Sequence, residues 1–218
     1  MADYLIRLIR WCFDRFYREF AWTYNTVAAA VSWGHWRSWV LAVLPFLHGD
    51  VLELGCGTGH LQLALADYSA VTRVIGLDIS WPMLMLTRRN TAIARLVRAD
   101  VRGIPLADES FDCVVATFPS EYIADSQTLA EVWRLLRPGG RFVVLLGAQL
   151  AGPDVYRRLI ALAYRLILPS TPVAEADVPV GASAVRLLAA LEDAKLPARD
   201  RWVSAPGGAV YLLEALKH

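Results

Sequence analysis

A short apolar strand that breaks into three alternating glycines is the feature that most constrains this chain. The run VLELGCGTGH spans residues 51–60. Glycine carries no Cβ and adopts positive φ readily, so main-chain N–H groups in such a loop can touch a bound molecule. A second apolar run, RVIGLD, ends at Asp78, nineteen residues after the last glycine. A carboxylate at that place accepts hydrogen bonds from ribose hydroxyls, so the two runs together predict a nucleoside site.

The spacing of the glycines separates the known types of nucleotide-binding loop. A dinucleotide fingerprint reads G-x-G-x-x-G, whereas this chain reads G-x-G-x-G and has His60 in the sixth position. No lysine follows the glycines, so a phosphate loop ending in G-K-[ST] is absent. The run resembles motif I of the class I S-adenosylmethionine-dependent methyltransferases, (V/L)L(E/D)(L/V)GCGTG. An ordinary glycine-rich turn in some other α/β protein is the alternative interpretation.

Short apolar runs alternate with helical stretches along most of the chain. Continuous β-branched runs are typical of parallel strands covered on both faces, and their alternation with helices predicts right-handed βαβ units. The predicted strands are 49–55, 72–78, 94–100, 111–118 and 141–147, and the predicted helices are 60–68, 81–90 and 121–136. The runs RDRWVSA and AVYLLEALK flank Pro206-Gly207-Gly208 and predict a β-hairpin.

The fold class follows from this order of elements. We expect an α/β, Rossmann-like, doubly wound sheet of about seven strands, mostly parallel, with an antiparallel C-terminal hairpin and an N-terminal helical cap. A length of 218 residues fits one domain with a substantial core. Within 1–218 we expect a helical cap at 1–46, a cofactor-binding core at 48–148, a lid or substrate insertion at 149–180, and a terminal helix and hairpin at 181–218.

Charge and cysteine content exclude several classes of partner. A net charge of +1 gives no electrostatic case for nucleic acid binding. The three cysteines, Cys12, Cys56 and Cys113, are scattered without metal-ligand spacing, so we expect no metal site and a reducing cytoplasmic location. No window of membrane-spanning length is free of charge, so we do not expect a transmembrane helix.

The composition is unusually apolar, with 56% hydrophobic residues and a mean hydropathy of +0.38. Two stretches, residues 5–20 and 155–168, place apolar side chains on one helical face and arginines on the other. Such faces pack on the core, form a homodimer, enclose an apolar substrate or lie on an anionic membrane surface. Cytoplasmic location with peripheral membrane association is therefore one expectation.

Two further stretches extend the resemblance over residues 48–148. The sequence from Asp100 to Phe118, DVRGIPLADESFDCVVATF, is similar to the D-(x)3-LPF-(x)4-FD-x-V pattern of the methyltransferase type 11 family, which includes ubiquinone/menaquinone-biosynthesis C-methyltransferases. The stretch LAEVWRLLRPGGRFVV resembles the helix and turn that follow in that family.

The resemblance implies S-adenosylmethionine as cofactor, with S-adenosylhomocysteine as product. It implies that Glu53 holds the amino end of the methionine moiety through water, that Asp78 takes the ribose hydroxyls and that Asp100 takes the adenine amino group. The glycine loop contributes backbone contacts, and Ile79 and Met83 are candidates to sandwich the adenine ring. The full set of implied cofactor-binding residues is Glu53, Gly55, Cys56, Gly57, Asp78, Ile79, Met83, Asp100, Val101 and Thr117.

Residues on the acceptor side have weaker signals. Ligands bind outside the carboxyl ends of strands in open α/β sheets, so the residues after the fourth predicted strand are candidates to meet the acceptor. Tyr24 corresponds to an N-terminal Tyr-Asp pair of related enzymes, although Asn25 replaces the acid. The substrate candidates are Tyr24, Phe118, Ser120 and Tyr156, and the candidate catalytic residues are His60, Glu121 and Tyr122.

The resulting functional prediction is methyl transfer from S-adenosylmethionine to a small, apolar acceptor at carbon, oxygen or sulfur. The stretch ATFPSEY lacks the N/D-PP-(Y/F/W) signature of N-methyltransferases, which argues against a nitrogen target. We expect catalysis by positioning, without a metal ion or a covalent enzyme intermediate. A non-catalytic nucleoside-binding or membrane-peripheral protein that retains the fold is the alternative.

Overall fold

A seven-stranded sheet in the order β3-β2-β1-β4-β5-β7-β6 is the framework of the computed structural model, which describes residues 32–91, 95–151 and 180–218. Strands β1 to β5 pair in parallel, and β7 runs antiparallel between β5 and β6. The strands are β1 Gly49–Leu54, β2 Val71–Asp78, β3 Arg95–Arg98, β4 Phe111–Thr117, β5 Leu136–Leu150, β6 Ala198–Ala205 and β7 Gly208–Leu216. The predicted doubly wound sheet and its C-terminal hairpin are confirmed.

Helices connect the strands and cover the sheet. They are α1 Trp36–Val40, a 3-10 helix Leu41–Phe46, α2 His60–Ala66, α3 Trp81–Asn90, a 3-10 helix Glu121–Ala124, α4 Ser126–Leu135 and α5 Val180–Asp193. Of the predicted cap at 1–46, residues 1–31 lie outside the described residues. Most of the predicted lid at 149–180 also lies outside them, as do Tyr24 and Tyr156. None of the helices in the three described ranges has the length and apolarity needed to cross a membrane.

Alternate side chains of the central strands enter two separate apolar clusters, as expected for a sheet covered on both faces. Leu52, Val114 and Val144 belong to one cluster, together with residues of α4 and α5. Their neighbours Val51, Val115 and Val143 belong to the other, together with residues of α1 and α2. The central strands are therefore packed on both faces, and this packing positions the loops that follow their carboxyl ends.

The predicted helix 121–136 is divided in two by Asp125. The Asp125 carboxylate accepts hydrogen bonds from the backbone N–H groups of Gln127 at 2.9 Å and Thr128 at 3.4 Å. This N-cap satisfies donors that have no intrahelical partner, so α4 begins after Asp125. The preceding turn becomes the separate 3-10 helix Glu121–Ala124.

Strand β5 begins five residues earlier than the sequence predicted. Phe111 pairs with Leu136 and Cys113 with Arg141, so the intervening residues 137–140 bulge out of the ladder. Arg137 holds this bulge by donating to Asp112 at 2.7 Å and to Asp50 at 2.9 Å. These carboxylates lie at the amino ends of β4 and β1, at the opposite edge of the sheet from the loops described next.

Candidate functional site

The order of the strands places a crevice between the carboxyl ends of β1 and β4. The chain winds outward from β1 through β2 to β3 and then returns to β4 on the other side of β1. The loops after β1 and β4 therefore leave in opposite directions, and ligands of open α/β sheets bind at such a switch point. The loop after β1 carries the three glycines, and the loop after β4 carries Phe118 to Tyr122.

The glycine loop has a backbone that a side chain would not tolerate. Gly55, Gly57 and Gly59 have φ of 71°, 54° and 85°, in the left-handed region that favours glycine. A Cβ on Gly55 would lie 2.8 Å from the Tyr122 hydroxyl, and one on Gly59 would lie 2.7 Å from a methyl carbon of Thr87. Conformation therefore favours glycine at all three positions, and space favours it at Gly55 and Gly59.

Helix α3 fastens this loop from outside. The Thr87 hydroxyl donates to the carbonyl oxygen of Gly57 at 2.7 Å, and the Asn90 side-chain amide donates to that of Thr58 at 2.9 Å. Two carbonyl groups of the loop are thus hydrogen-bonded to side chains of α3. Sequence reasoning missed Thr87 and Asn90, because no motif marks a hydrogen bond to a distant backbone.

Asp78, at the end of β2, joins the glycine loop directly. One carboxylate oxygen accepts from the N–H of Gly57 at 3.0 Å, and the other accepts from the N–H of Ser80 at 2.8 Å. Each oxygen retains a lone pair for a further donor. Burial raises the pKa of the Asp78 carboxyl, and the hydrogen bonds from Ser80 and Gly57 oppose that rise.

Glu53 lies beneath the same loop as a buried carboxyl group. The Gln62 side-chain amide donates to Glu53 Oε2 at 2.7 Å. Burial raises the pKa of Glu53 to about 8, although the hydrogen bond from Gln62 lowers it. The Oε1 atom of Gln62 is buried and has no hydrogen-bond partner within the described part of the chain. A buried acid that is mostly protonated suits a site where a ligand brings a positive charge.

The predicted adenine-side residues differ in exposure. Ile79 is 63% exposed beside Asp78, whereas Met83 is 4% exposed and lies in the core. Val101 is half-buried against the core. Cys56 is buried in the glycine loop, and burial raises the pKa of its thiol. Thr117 is half-buried at the end of β4.

Asp100 follows β3 and is held by a neighbouring cation. The Arg102 backbone N–H donates to Asp100 Oδ1 at 2.9 Å, and its guanidinium lies 3.4 Å from both carboxylate oxygens. The same guanidinium donates to Asp125 at 3.2 Å, which ties the loop after β3 to the start of α4. The carboxylate is exposed and therefore reachable by a ligand.

The loop after β4 brings aromatic side chains to the crevice. Phe118 has a φ of 48°, which is uncommon outside glycine. Its N–H donates to the carbonyl of Leu145 at 2.7 Å, and its ring stacks on Trp36 with 4.3 Å between centroids. The Tyr122 hydroxyl donates to the carbonyl of Leu54 at 3.4 Å, so it reaches the end of β1. Ser120 and Glu121 are exposed.

His60 follows the glycine loop as the first residue of α2 and is half-buried. Burial lowers the pKa of its imidazole, and the positive charge of Arg37 lowers it further. The imidazole is therefore neutral near pH 7 and able to accept a proton. The structure brings His60, Tyr122 and the glycine loop to one end of the sheet, together with Asp78 and Glu53.

Comparison of the sequence with known proteins identifies methyltransferases as relatives of this chain. The profile of a family described as "Methyltransferase domain" matches residues 52–144. A demethylmenaquinone methyltransferase of Symbiobacterium thermophilum is 35% identical over 130 residues, which are 56% of this chain and 52% of that protein. A demethylmenaquinone methyltransferase of Bacillus licheniformis is 30% identical and covers 72% of this chain and 69% of its own length. The chain spans about half the length of several curated relatives that it matches.

A solved structure supports the fold. The structure from Thermotoga maritima, described as a SAM-dependent methyltransferase and possible histamine N-methyltransferase, aligns over 94% of this chain and 99% of that chain. Its TM-score is 0.64 at 18% identity, so this likeness concerns the fold alone. The sequence matches, the order of the strands in the sheet and the glycine loop therefore all indicate the same family. The chain belongs to the class I S-adenosylmethionine-dependent methyltransferases of the ubiquinone/menaquinone-biosynthesis type, a family whose methyl donor is S-adenosylmethionine.

Proposed function

We propose that this chain transfers the methyl group of S-adenosylmethionine to a ring carbon of a small, apolar, hydroxylated aromatic acceptor of the quinol class. The observation that carries the proposal is that the glycine loop, Asp78 and buried Glu53 lie together at the switch point of the sheet. We call these residues, together with Asp100 and Ile79, the cofactor cradle. The quinol class is taken from the names of the relatives, demethylmenaquinone methyltransferases. Those relatives also disfavour the non-catalytic alternative.

The hydrogen-bond donors and acceptors of the cofactor cradle match the polar groups of S-adenosylmethionine one by one. Asp78 would accept from the ribose hydroxyls with the lone pairs that Gly57 and Ser80 leave free. Glu53 would face the cationic amino group, and Gly55 would present bare backbone to the methionine moiety. Asp100 would accept from the adenine amino group. Exposed Ile79 suits a contact with the adenine face better than buried Met83 does.

The bound cofactor supplies a methyl group already activated by a positively charged sulfur. The remaining work of the chain is alignment of the acceptor with that methyl and exclusion of water, an effect that contributes up to about 7–11 kcal/mol in well-oriented reactions. The rigid glycine loop and the strained backbone of Phe118 are means of such alignment. The division into cap, core, lid at 149–180 and terminal part is also our proposal, as are the acceptor contacts of Tyr24, Ser120 and Tyr156.

Binding of S-adenosylhomocysteine should release a proton from Glu53. The product carries the same amino group, whose positive charge favours the ionised carboxyl, while burial holds the pKa of free Glu53 at about 8. Near pH 7 we expect release of close to one proton and an affinity that rises with pH up to about pH 8. The number of protons released is measured by calorimetry in buffers that differ in ionisation enthalpy.

The isosteric variant Glu53→Gln is the control, and it should bind without proton release. Because the unfolded carboxyl ionises at its ordinary value of 4.5, the free energy of unfolding of the cofactor-free protein should fall as pH rises from 4.5 to about 8. The Glu53→Gln variant should lack this decrease of the free energy of unfolding with pH. Equal proton release by both proteins would assign the titration to another group.

A turnover assay tests the proposed reaction. Purified protein is incubated with S-adenosylmethionine and a panel of reduced quinols, simple phenols and thiols, and the methylated products are identified by mass spectrometry. We expect a quinol to gain one methyl group on a ring carbon, and we expect a chelator to leave the rate unchanged because the donor is already activated. Activity that a chelator abolishes and a divalent ion restores would contradict this mechanism.

The amphipathic faces predicted at 5–20 and 155–168, for which membrane contact was an expectation, lie outside the described residues. Within the described residues, we further propose that the carboxyl edge of β2 and β3 contacts an anionic membrane surface. Trp81 is 53% exposed there, and the guanidinium of Arg98 lies close by, donating to the carbonyl of Ile79. Ile79 itself would face the adenine ring. Apolar and aromatic side chains bordered by arginine suit a lipid interface. Cytoplasmic location with reversible membrane contact is the corresponding expectation, and a homodimer seam is the competing use of such a surface.

Flotation with anionic vesicles at low salt measures membrane contact. Trp81→Ser should reduce the fraction of protein that floats, because a large exposed aromatic anchor is lost. Trp202→Ser is the matched control, since Trp202 is 48% exposed on β6 at the far edge of the sheet. If the parent protein stays with the soluble fraction, or if both variants behave alike, the surface does not bind lipid.

A further inference from the structure

A group of side chains beside the glycine loop has no role in the cofactor cradle. Trp36 and Arg37 lie on α1, His60 begins α2, and Phe118 follows β4. Helix α1 packs against α2, and Trp36 reaches across to Phe118. Helix α1 thus contacts both the helix that follows the glycine loop and the loop that follows β4.

Trp36 and Phe118 form an ordered aromatic wall. Their rings are stacked at 4.3 Å with an interplanar angle of 27°, and both are only half-buried. Their inner sides pack against the apolar cluster that contains Val51 and Val115. The φ of 48° at Phe118 is strained for a residue with a Cβ, and the hydrogen bond to Leu145 holds it there. Retained strain of this kind is concentrated at ligand sites.

His60 and Arg37 place a neutral base and a cation on the two packed helices beside the wall. Partial burial of the imidazole lowers the pKa of His60, and the positive charge of Arg37 lowers it further. Arg37 is exposed, so its guanidinium can turn toward a ligand. A neutral imidazole beside a cation and an aromatic wall matches a flat molecule that loses a proton and becomes an anion.

We infer that Trp36, Phe118, His60 and Arg37 form the acceptor subsite, in which the aromatic wall stacks on a phenolic ring, His60 accepts the hydroxyl proton and Arg37 stabilises the phenolate. The inference rests on the proposed methyl transfer, because it places the acceptor beside the cofactor cradle. It adds two residues, Trp36 and Arg37, that the sequence motifs do not mark, and it assigns His60 the role of base.

The step balances in protons and electrons. The phenolic hydroxyl gives its proton to His60, and the electron pair of the phenolate forms a carbon–carbon bond from a ring carbon to the methyl carbon. The carbon–sulfur bonding pair returns to sulfur, which leaves as the neutral thioether of S-adenosylhomocysteine. The ring carbon then loses its hydrogen as a proton while the oxygen regains one, and His60 releases its proton to water. The net change is one methyl gained and one proton released.

Other charges lie on the elements that pack against α2. These are Arg37 on α1, Arg73 and Asp78 on β2, and Arg88 and Arg89 on α3. Burial and, among these charges, Arg37 lower the pKa of His60, so the rate should fall as pH drops through a value below the ordinary 6.5 of histidine. His60→Gln should lose this acid limb of the pH profile along with most of the rate, about 10²–10⁴-fold.

Binding of 4-nitrophenol tests the subsite independently of turnover, because its phenolate has its own absorption band. In the presence of S-adenosylhomocysteine we expect the protein to bind 4-nitrophenol and to raise its ionised fraction near pH 7. Arg37→Gln should lower that fraction, and Trp36→Leu should weaken binding about three- to tenfold. The matched controls Arg199→Gln and Trp202→Leu replace exposed residues of β6 and should behave as the parent does.

Separate measurement of S-adenosylhomocysteine affinity keeps the outcomes distinct. If the parent protein does not bind S-adenosylhomocysteine, the proposed function fails. If it does, but 4-nitrophenol does not bind, or binds with unchanged ionisation in the parent and the Arg37→Gln variant, the subsite is wrong. Trp36→Phe retains an aromatic ring and should restore binding, which separates loss of stacking from loss of folding.

Discussion

Replacing Asp78 with alanine is expected to weaken S-adenosylhomocysteine binding by about 1.5–3 kcal/mol, from a micromolar starting affinity of roughly −8 kcal/mol. The carboxylate does two things at once. It would accept from the ribose hydroxyls, and it accepts from the N–H groups of Gly57 and Ser80. Its loss removes a charge-assisted contact and leaves a loop N–H without its acceptor, so both binding and loop order suffer.

Asp78→Asn separates these two contributions. The amide keeps the shape of the side chain and one acceptor oxygen, so it should be less damaging than alanine. Asp67→Ala, which removes an exposed carboxylate at the end of α2, is the control that should bind normally. Isothermal titration calorimetry measures all three. Tight binding of NAD by the parent protein, with no binding of S-adenosylhomocysteine, would contradict the cofactor assignment itself.

Gly59→Ala is expected to lower the free energy of unfolding by about 2–5 kcal/mol. A left-handed conformation costs an L-residue about 1–2 kcal/mol, and overpacking costs about 1–3 kcal/mol. Both apply, since Gly59 has a φ of 85° and its Cβ would lie 2.7 Å from a methyl carbon of Thr87. The displaced Thr87 would also pull away from the carbonyl of Gly57. Cofactor affinity should therefore fall together with stability, as measured by denaturant unfolding and calorimetry.

Gly57→Ala provides the comparison that isolates backbone strain. Gly57 has a φ of 54°, but the nearest atom to its Cβ would be 3.9 Å away, so only the conformational cost applies. The double variant Gly59→Ala/Thr87→Ser removes the colliding methyl while keeping the hydroxyl, and it should recover part of the loss. If Gly57→Ala and Gly59→Ala are equally destabilising and Thr87→Ser restores nothing, the collision has no energetic weight.

The alternation of apolar runs and helices was sufficient to predict the sheet, because a strand buried on both faces must be continuously apolar. Element ends were less accurate where a side chain acts on the backbone. Asp125 caps α4 and divides the predicted helix 121–136. Arg137, within the bulge at 137–140, donates to Asp112 and Asp50 on two other strands, and β5 begins before this bulge, at Leu136. Neither contact has a periodic signature.

The sequence by itself determined the backbone of the candidate site: the positions of the glycines, the acid after β2 and the succession of strands and helices along the chain. These features depend on local conformation and on the pattern of burial, both of which are determined by residues that follow one another in the chain. Only the tertiary structure decided which side chains meet that backbone. Thr87 and Asn90 hold the glycine loop, Gln62 pairs with Glu53, and Trp36 stacks on Phe118. Except for the Gln62 pair, these partners are about thirty or more residues apart in the chain. Their contacts arise from how whole helices pack on the sheet, and no local pattern encodes that.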